Sequence, residues 1–411
     1  MDRLYPTCCG LDVHKRTVVA CLIRPAGAAG QRTKEVRTFE TTTAALLALG
    51  DWLQAATCSH VALEGTGVYW RPVYNLLEGR CTVILANARH IKAVPGRKTD
   101  VSDAEWIADL LQHGLIRPSF VPPRAQRELR DLTRTRTTLV NERSAAVKRL
   151  QGVLEAANLK VAGVATDIMG VSGRAMLAAL LAGETDPATL ADLAKGRLRN
   201  KRAALEQALV GRLTDHHRLL LALHLEHVDF LDEQIDRLSD EIAVRLRPVE
   251  ATLDRLDTIP GVGRRTAEVL AAEVGLDMTP FPSAAHLASW AGMCPGQYES
   301  AGKRKGGKTR KGSPWLRRAL VEAACAAARK KDTALAAQFR RLAVRRGKQK
   351  AAVAVGHRLL TLVYALLAHG EVYQERDPRL LDERRRTRTR QRALDQLHAL
   401  GYTVTLAEPA A

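Results

Sequence analysis

The stretch CCGLDVHKRTVVACLI, Cys8 to Ile23, reads as two short strands, Cys8 to Val13 and Thr17 to Ile23, joined by a tight polar turn at His14 to Arg16, as in a hairpin. Working outward, Val36 to Thr41 reads as a third strand, and alternation then gives way to helical periodicity at Thr43 to Ala55. An apolar strand follows at His60 to Leu63, a helix begins at Tyr69, and Cys81 to Ala86 is a further strand. Three strands followed by alternating helix and strand predict a mixed sheet carrying helices.

That order is the layout of an RNase H-like α/β domain, in which acids gather at strand ends. Asp12 in CCGLDVHK and Glu64 in HVALEGTGVYW stand at the ends of such runs. Two further acids, Asp100 and Asp103, lie three apart in PGRKTDVSDAEWIADLLQHGL, Pro95 to Leu115, where a helix start would project both from one face. Mg²⁺ takes hard oxygen ligands and keeps several waters, so a few carboxylates and substrate phosphate oxygens complete its octahedron. Two such ions can clamp the attacking and leaving oxygens of a phosphoryl transfer. The same acids would serve equally as strand ends and as caps and charges at a helix N-terminus.

The chain has 411 residues, too many for one typical core, and two or three domains are expected. Lys and Arg number 63 against 44 Asp and Glu, a net charge of +19. The resulting pI near 10 points to a polyanionic partner, nucleic acid first. Seven cysteines without repeated CxxC pairs predict reduced thiols rather than a zinc site or a disulfide framework. The start MDRLYPTCCG has no charged-then-apolar signal and no run nears 18 uninterrupted apolar residues, so a cytoplasmic protein with no membrane partner is expected. Aromatics at 4% make stacking platforms a minor theme.

Pro118, Pro122 and Pro123 close the first domain, expected over 5–118. A helical coiled-coil connector is expected over 123–250. Its first long helix, Arg124 to Leu154, carries Leu129, Leu132, Leu139, Leu150 and Leu154 among Arg124, Arg127, Arg130, Arg134, Arg136, Arg143, Lys148 and Arg149. That charge is either a solvated face or a phosphate-tracking surface. Its second, about Arg218 to Arg247, has Val228, Leu231, Ile235, Leu238 and Ile242 in coiled-coil spacing, to pair with the first helix or with a second subunit. A mainly α domain is expected over 251–375. It opens with a helix-hairpin-helix-like Pro-Gly-x-Gly turn at Asp257 to Gly275, where Gly261 and Gly263 could offer backbone N–H groups to a phosphate or could simply turn the chain. Ser300 then stands beside Lys303, Arg304, Lys305, Lys308, Arg310 and Lys311. It is an ordinary loop serine or a nucleophile whose developing charge is stabilised by these cations. Residues 376–411 are expected to form a basic helix or tail, or a disordered surface segment.

Together GLDVHK, LEGTGVYWRPVYNLLE, GRKTDVSDAEWIADLLQHGLI, IPGVG, SWAGMCPG, ESAGKR and KGSPWLRRAL resemble, in the same order from about Cys8 to Tyr373, the transposases of bacterial insertion-sequence family one-hundred-ten, which also includes Piv-type DNA invertases. The resemblance implies a RuvC-like DEDD domain whose acids are Asp12, Glu64, Asp100 and Asp103, holding two Mg²⁺ ions, and a C-terminal transposase domain whose nucleophilic serine is Ser300. It further implies a site-specific recombinase acting on donor and target double-stranded DNA, guided by a structured bridge RNA encoded by the element, and homodimers assembling into tetramers. Ser313 departs from the family pattern, since many relatives carry Asn after Lys-Gly. The absence of GxxxxGK[ST] agrees with strand exchange that needs no ATP. The competing readings are a junction-resolving or RNase H-like nuclease that uses water and no serine, and a non-catalytic nucleic-acid bridging protein.

Overall fold

The computed structural model describes residues 4–26, 31–65, 67–87, 91, 94, 102–296, 298–375 and 378–405, with the backbone alone at 298–300, 304–305, 378–386 and 388. The chain divides into two compact units, Met1–Pro122 and Pro123–Ala411.

The first unit is built on a five-stranded sheet of order β3-β2-β1-β4-β5: β1 (Cys8–Val13), β2 (Thr17–Pro25), β3 (Arg32–Glu40), β4 (His60–Glu64) and β5 (Thr82–Ala86). The meander β1-β2-β3 is antiparallel, whereas β4 and β5 run parallel to β1 because helices α1 (Thr43–Ala55) and α2 (Trp70–Leu77) carry the chain back between them. Alternation along the central strand feeds two cores. Cys9, Leu11 and Val13 pack with Leu49 and Leu53 of α1 and Leu77 of α2, while Cys8 on the other face packs with Ala62 and with Ile107 and Leu111 of α3 (Asp103–Gln112). All seven cysteines are free. Burial raises the thiols of Cys8 and Cys58 to about 12 and that of Cys21 to about 11, so they behave as small apolar groups.

In the second unit α4 (Arg124–Ala156) and α6 (Asp215–Leu246) lie side by side. Their cross-links, Glu128 with Arg245, Arg136 with Ser239 and Arg143 with Asp232, fall along α6 as they rise along α4, so the pair is antiparallel. Leu221, Val228, Ile235 and Ile242, seven apart, are buried on α6, and Leu231 joins them. Of the two partners the sequence allowed for this seam, the structure supplies the first helix of the same chain. Against α4, α6 and α5 (Val171–Leu181), the segments around 161–208 form shorter helical turns that fill a shared core.

The remainder comprises α7 (Glu250–Asp257), α8 (Arg264–Val274), α9 (Ala284–Trp290), a hairpin of β6 (Tyr298–Ser300) and β7 (Lys303–Gly306), α10 (Pro314–Arg329), α11 (Ala334–Arg346), α12 (Lys348–His369) and α13 (Pro378–Ala399). Helix α8 packs on α4, so the expected 123–250 and 251–375 segments share one unit. By length and composition α12 could cross a membrane, the one such helix among the described residues. Its Val355, Leu359, Leu360 and Val363 are instead buried, and its neighbours are α9, α10 and α11, as befits a core helix.

Candidate functional site

The parallel register of β1 and β4 places the acids. Leu11 of β1 pairs with Leu63 of β4, so Asp12 and Glu64 stand side by side one position further along two parallel strands, on the sheet face opposite those leucines. That face is the one α3 covers. Gly10 lets α3 approach: a Cβ there would stand 2.9 Å from Cα of Ala108 and closer still to the Ala104 carbonyl oxygen and the Ala108 amide nitrogen. With α3 pressed onto β1, its first residue, Asp103, lines a cavity of about 400 Å³ together with Asp12, Glu64, His14 and Trp106.

Ser102 begins the helix. Its backbone is extended, its hydroxyl accepts from the Glu105 N–H at 3.3 Å and donates to the Glu105 carboxylate at 3.2 Å, and helical geometry starts at Asp103. Asp100, expected to share a helix face with Asp103, lies outside the described residues.

The turn after Asp12 is fixed from several sides. The His14 N–H donates to the Thr17 carbonyl at 2.9 Å, and Thr41 donates to the carbonyls of Lys15 and Arg16 at 2.9 and 3.0 Å. His14 Nε2 approaches Asp12 Oδ2 at 3.1 Å, with Asp12 a quarter exposed. Trp106 Nε1 is buried and has no partner among the described residues.

The donor set is all carboxylate oxygen, which suits a hard divalent cation. Among the described residues no group of three or more His, Cys, Asp or Glu side chains stands close enough to hold an ion. One or two of these carboxylates per ion, with water and phosphate oxygens, is the coordination Mg²⁺ accepts.

Ser300 lies in the second unit, at the last position of β6, paired with Lys303 across a two-residue turn in which Ala301 and Gly302 both have positive φ, 51° and 71°. The sequence showed only a basic loop here. Lys303, Lys308 and Arg310 are exposed; the side chains of Ser300, Arg304 and Lys305 lie outside the described set. The base of this loop is held by Arg317, which donates to Thr309 Oγ1 at 2.8 Å, to the Gly292 carbonyl at 2.5 Å and to the Arg310 carbonyl at 2.9 Å. Nothing local in WLRR distinguishes Arg317 from its neighbour Arg318.

The expected arginine stripe on α4 divides. Arg124 and Lys148 are exposed and Arg127 is half-buried. Arg149 is exposed too and Arg143 pairs with Asp232 of α6, whereas three turn inward: Arg130 donates to the carbonyls of Ala272 and Glu273 at the end of α8, Arg134 makes a two-pronged pair with Glu273 at 2.6 and 2.9 Å, and Arg136, 4% exposed, reaches Glu268 at 2.7 Å. These three tie α4 to α8 instead of standing free for phosphates, because two buried glutamates on α8 require cations. Glu273 also accepts from Ser313 Oγ at 2.9 Å, and that hydroxyl caps α10 by accepting from Leu316 N–H at 3.3 Å. Of the turn glycines, Gly261 has φ 89° and lies against α10, 2.8 Å from Ala327 to its virtual Cβ, whereas Gly263 is the exposed cap residue of α8. The absence of a side chain at Gly261 lets the turn pack against α10.

Comparison with known proteins gives a family. A model described as a transposase, for the DEDD domain of IS110 elements, matches residues 9–159, and one described as a transposase of the IS116/IS110/IS902 family matches 253–340. The chain is similar to a probable family 20 transposase of Pseudomonas aeruginosa, 27% identical over 76% of this chain and 85% of the relative. It is 27% identical to the transposase for insertion sequence element IS1111A of Coxiella burnetii, over 71% of this chain and 72% of that one. With the transposase for IS1328 of Yersinia enterocolitica it shares 31% identity over 56% of this chain and 59% of the relative. A DEDD transposase domain implies an RNase H-like fold, with which the mixed sheet agrees, and dependence on a divalent metal with DNA as substrate. Two models of one family account for more than half of the residues, and the chain belongs to the IS110 family of DNA transposases.

Proposed function

We propose that the cavity at Asp12, Glu64 and Asp103 is the phosphoryl-transfer centre of a site-specific DNA recombinase, with Asp100 as its fourth acid and Ser300 as its nucleophile. The observation that carries this reading is the convergence of three of the four acids on one cavity, two of them adjacent on parallel strands and the third brought by α3. The acid order D, E, D, D of the matching family domain is also the order of Asp12, Glu64, Asp100 and Asp103.

In this reading Asp12, Glu64, Asp100 and Asp103 would hold two Mg²⁺ ions. Bound there, the metal would supply charge stabilisation for the phosphorane-like transition state and for the attacking and leaving oxygens. The protein's own part is to fix the acids on strand ends and a helix start, and to position His14 against Asp12. The Ser300 oxygen bonds to phosphorus as the bond to the departing sugar oxygen breaks, and the serine proton is lost to a base. The phosphodiester energy is kept in the serine link, so rejoining needs no ATP. The exposed cations Arg124, Lys148, Lys303, Lys308 and Arg310, with the half-buried Arg127 and with Arg304 and Lys305, would follow nucleic-acid backbones, and Gly263 would offer the start of α8 to a phosphate. An element-encoded bridge RNA would pair with donor and target, leaving the protein to read shape and backbone, and dimers would assemble into tetramers on the DNA.

The test is junction sequencing in a host carrying the gene with its native flanking DNA. Recombined junctions with the wild type, lost in both Asp12→Asn and Ser300→Ala, are expected. Junctions persisting in Ser300→Ala would remove the serine and favour a nuclease that uses water.

A further inference from the structure

A second cavity, in the unit Pro123–Ala411, has no part in the acid chemistry. It measures about 210 Å³ and opens between α4, α8 and α10. Its walls are mostly apolar, with Val140 from α4, Val269 from α8 and the half-buried indole of Trp315 from α10. Four arginines line it, Arg134 and Arg136 from α4, Arg265 from α8 and Arg318 from α10, together with the acids Glu273 and Glu322; Arg136 is taken up by Glu268, which leaves three at the rim.

The three cations differ in freedom. Arg134 is held by both oxygens of the buried Glu273 and so has a fixed direction. Arg318 pairs at 2.7 Å with Glu322 one turn along an exposed helix face, an arrangement that competes weakly with another anion. Arg265 is exposed and has no partner among the described residues.

An apolar slot with an aromatic wall and a cationic rim selects by chemistry. Inorganic phosphate would satisfy the arginines and leave the walls uncovered. A base-paired duplex presents phosphates but keeps its base faces stacked. A single nucleobase with its phosphate satisfies both halves: the flat face lies on an indole and the charge meets guanidinium groups. We propose that this cavity binds one unpaired nucleotide of a nucleic acid, its base stacked on Trp315 and its phosphates held by Arg265 and Arg318. The proposal stands apart from the acid cavity and does not depend on its role.

The experiment measures equilibrium binding of the full chain to a labelled matched duplex, the same duplex with one extrahelical nucleotide, and the same bulge with an abasic sugar, each as DNA and as RNA. The wild type is expected to bind the bulged duplex roughly 5- to 150-fold more tightly than the matched one, the range that stacking of one base supplies, and to lose that preference with the abasic bulge. Trp315→Ala should abolish the preference and Trp315→Phe should retain it. Arg265→Ala should weaken all duplexes and flatten the salt dependence by about one phosphate contact. The DNA and RNA arms identify which strand supplies the nucleotide. Equal binding of matched, bulged and abasic duplexes by the wild type would overturn the proposal without recourse to any variant. So would an unchanged preference in a Trp315→Ala protein that keeps its circular dichroism spectrum.

Discussion

Replacing Gly10 by alanine tests how the fold makes the acid cavity. The added methyl would lie 2.9 Å from Cα of Ala108 and nearer still to two backbone atoms of α3. Carbon contacts want roughly 3.5 to 4.0 Å, and the obstructing atoms are backbone, so the helix must withdraw by about 1 Å. Overpacking of this kind costs about 1 to 3 kcal/mol. It would also carry Asp103 away from Asp12 and Glu64, and a displacement of about 1 Å at reacting groups costs on the order of a hundredfold in rate. Urea denaturation gives the first quantity and strand cleavage of labelled element-end DNA, at a temperature where the variant is folded, gives the second. Wild-type stability together with wild-type cleavage would refute the argument that close packing of α3 on β1 sets the site. Lost stability with unchanged cleavage would refute its catalytic half.

Arg136→Met should destabilise the second unit by about 3 kcal/mol, because Glu268 would be left buried with only Arg264 beside it, and Arg136→Met with Glu268→Leu should recover most of that loss by chemical denaturation. Ser313→Ala removes both the cap of α10 and a hydrogen bond to Glu273, an expected cost of about 1 to 2 kcal/mol, whereas Ser313→Asn should stay within about 0.5 kcal/mol since asparagine caps as well and can also donate. The buried thiols give a pH signature. Burial raises Cys8 to about 12 from an ordinary value of 9.0, so its contribution is fully present below pH 9 and is lost as pH climbs toward 12. Unfolding free energy should therefore fall by up to about 1.4 kcal/mol per pH unit for each such thiol above pH 9, and the fall should be shallower in Cys8→Ala.

Where burial follows a short period, the sequence is a good guide. Helix α1 begins and ends at Thr43 and Ala55 as its periodicity predicts, and Val228, Ile235 and Ile242 are buried on α6, which lies beside α4. Asp12 and Glu64 were visible because strand ends are local. The start of α3 at Asp103 follows from its Ser102 cap and the Ser102–Glu105 contact, local signals that the sequence carries. The inward arginines were hidden for another reason: Glu268 and Glu273, which claim Arg136 and Arg134, lie more than 130 residues downstream. No local pattern distinguishes a cation with a distant buried partner from one facing solvent. The Ser300 hairpin was obscured because its Ala301-Gly302 turn is flanked by lysines and arginines rather than alternating apolar residues.

The measurement that bears most directly on the assignment is divalent-dependent cleavage of labelled element-end DNA by the purified chain, with RNA transcribed from the native flanking DNA added, comparing wild type with Asp12→Asn, Glu64→Gln and Asp103→Asn under conditions where each variant binds DNA. The account predicts cleavage with Mg²⁺ in the wild type and a loss of at least about a hundredfold in all three variants with binding intact. Cleavage retained in all three would contradict it, and would leave the acids as the strand ends and helix start that a purely structural reading of the sequence allows.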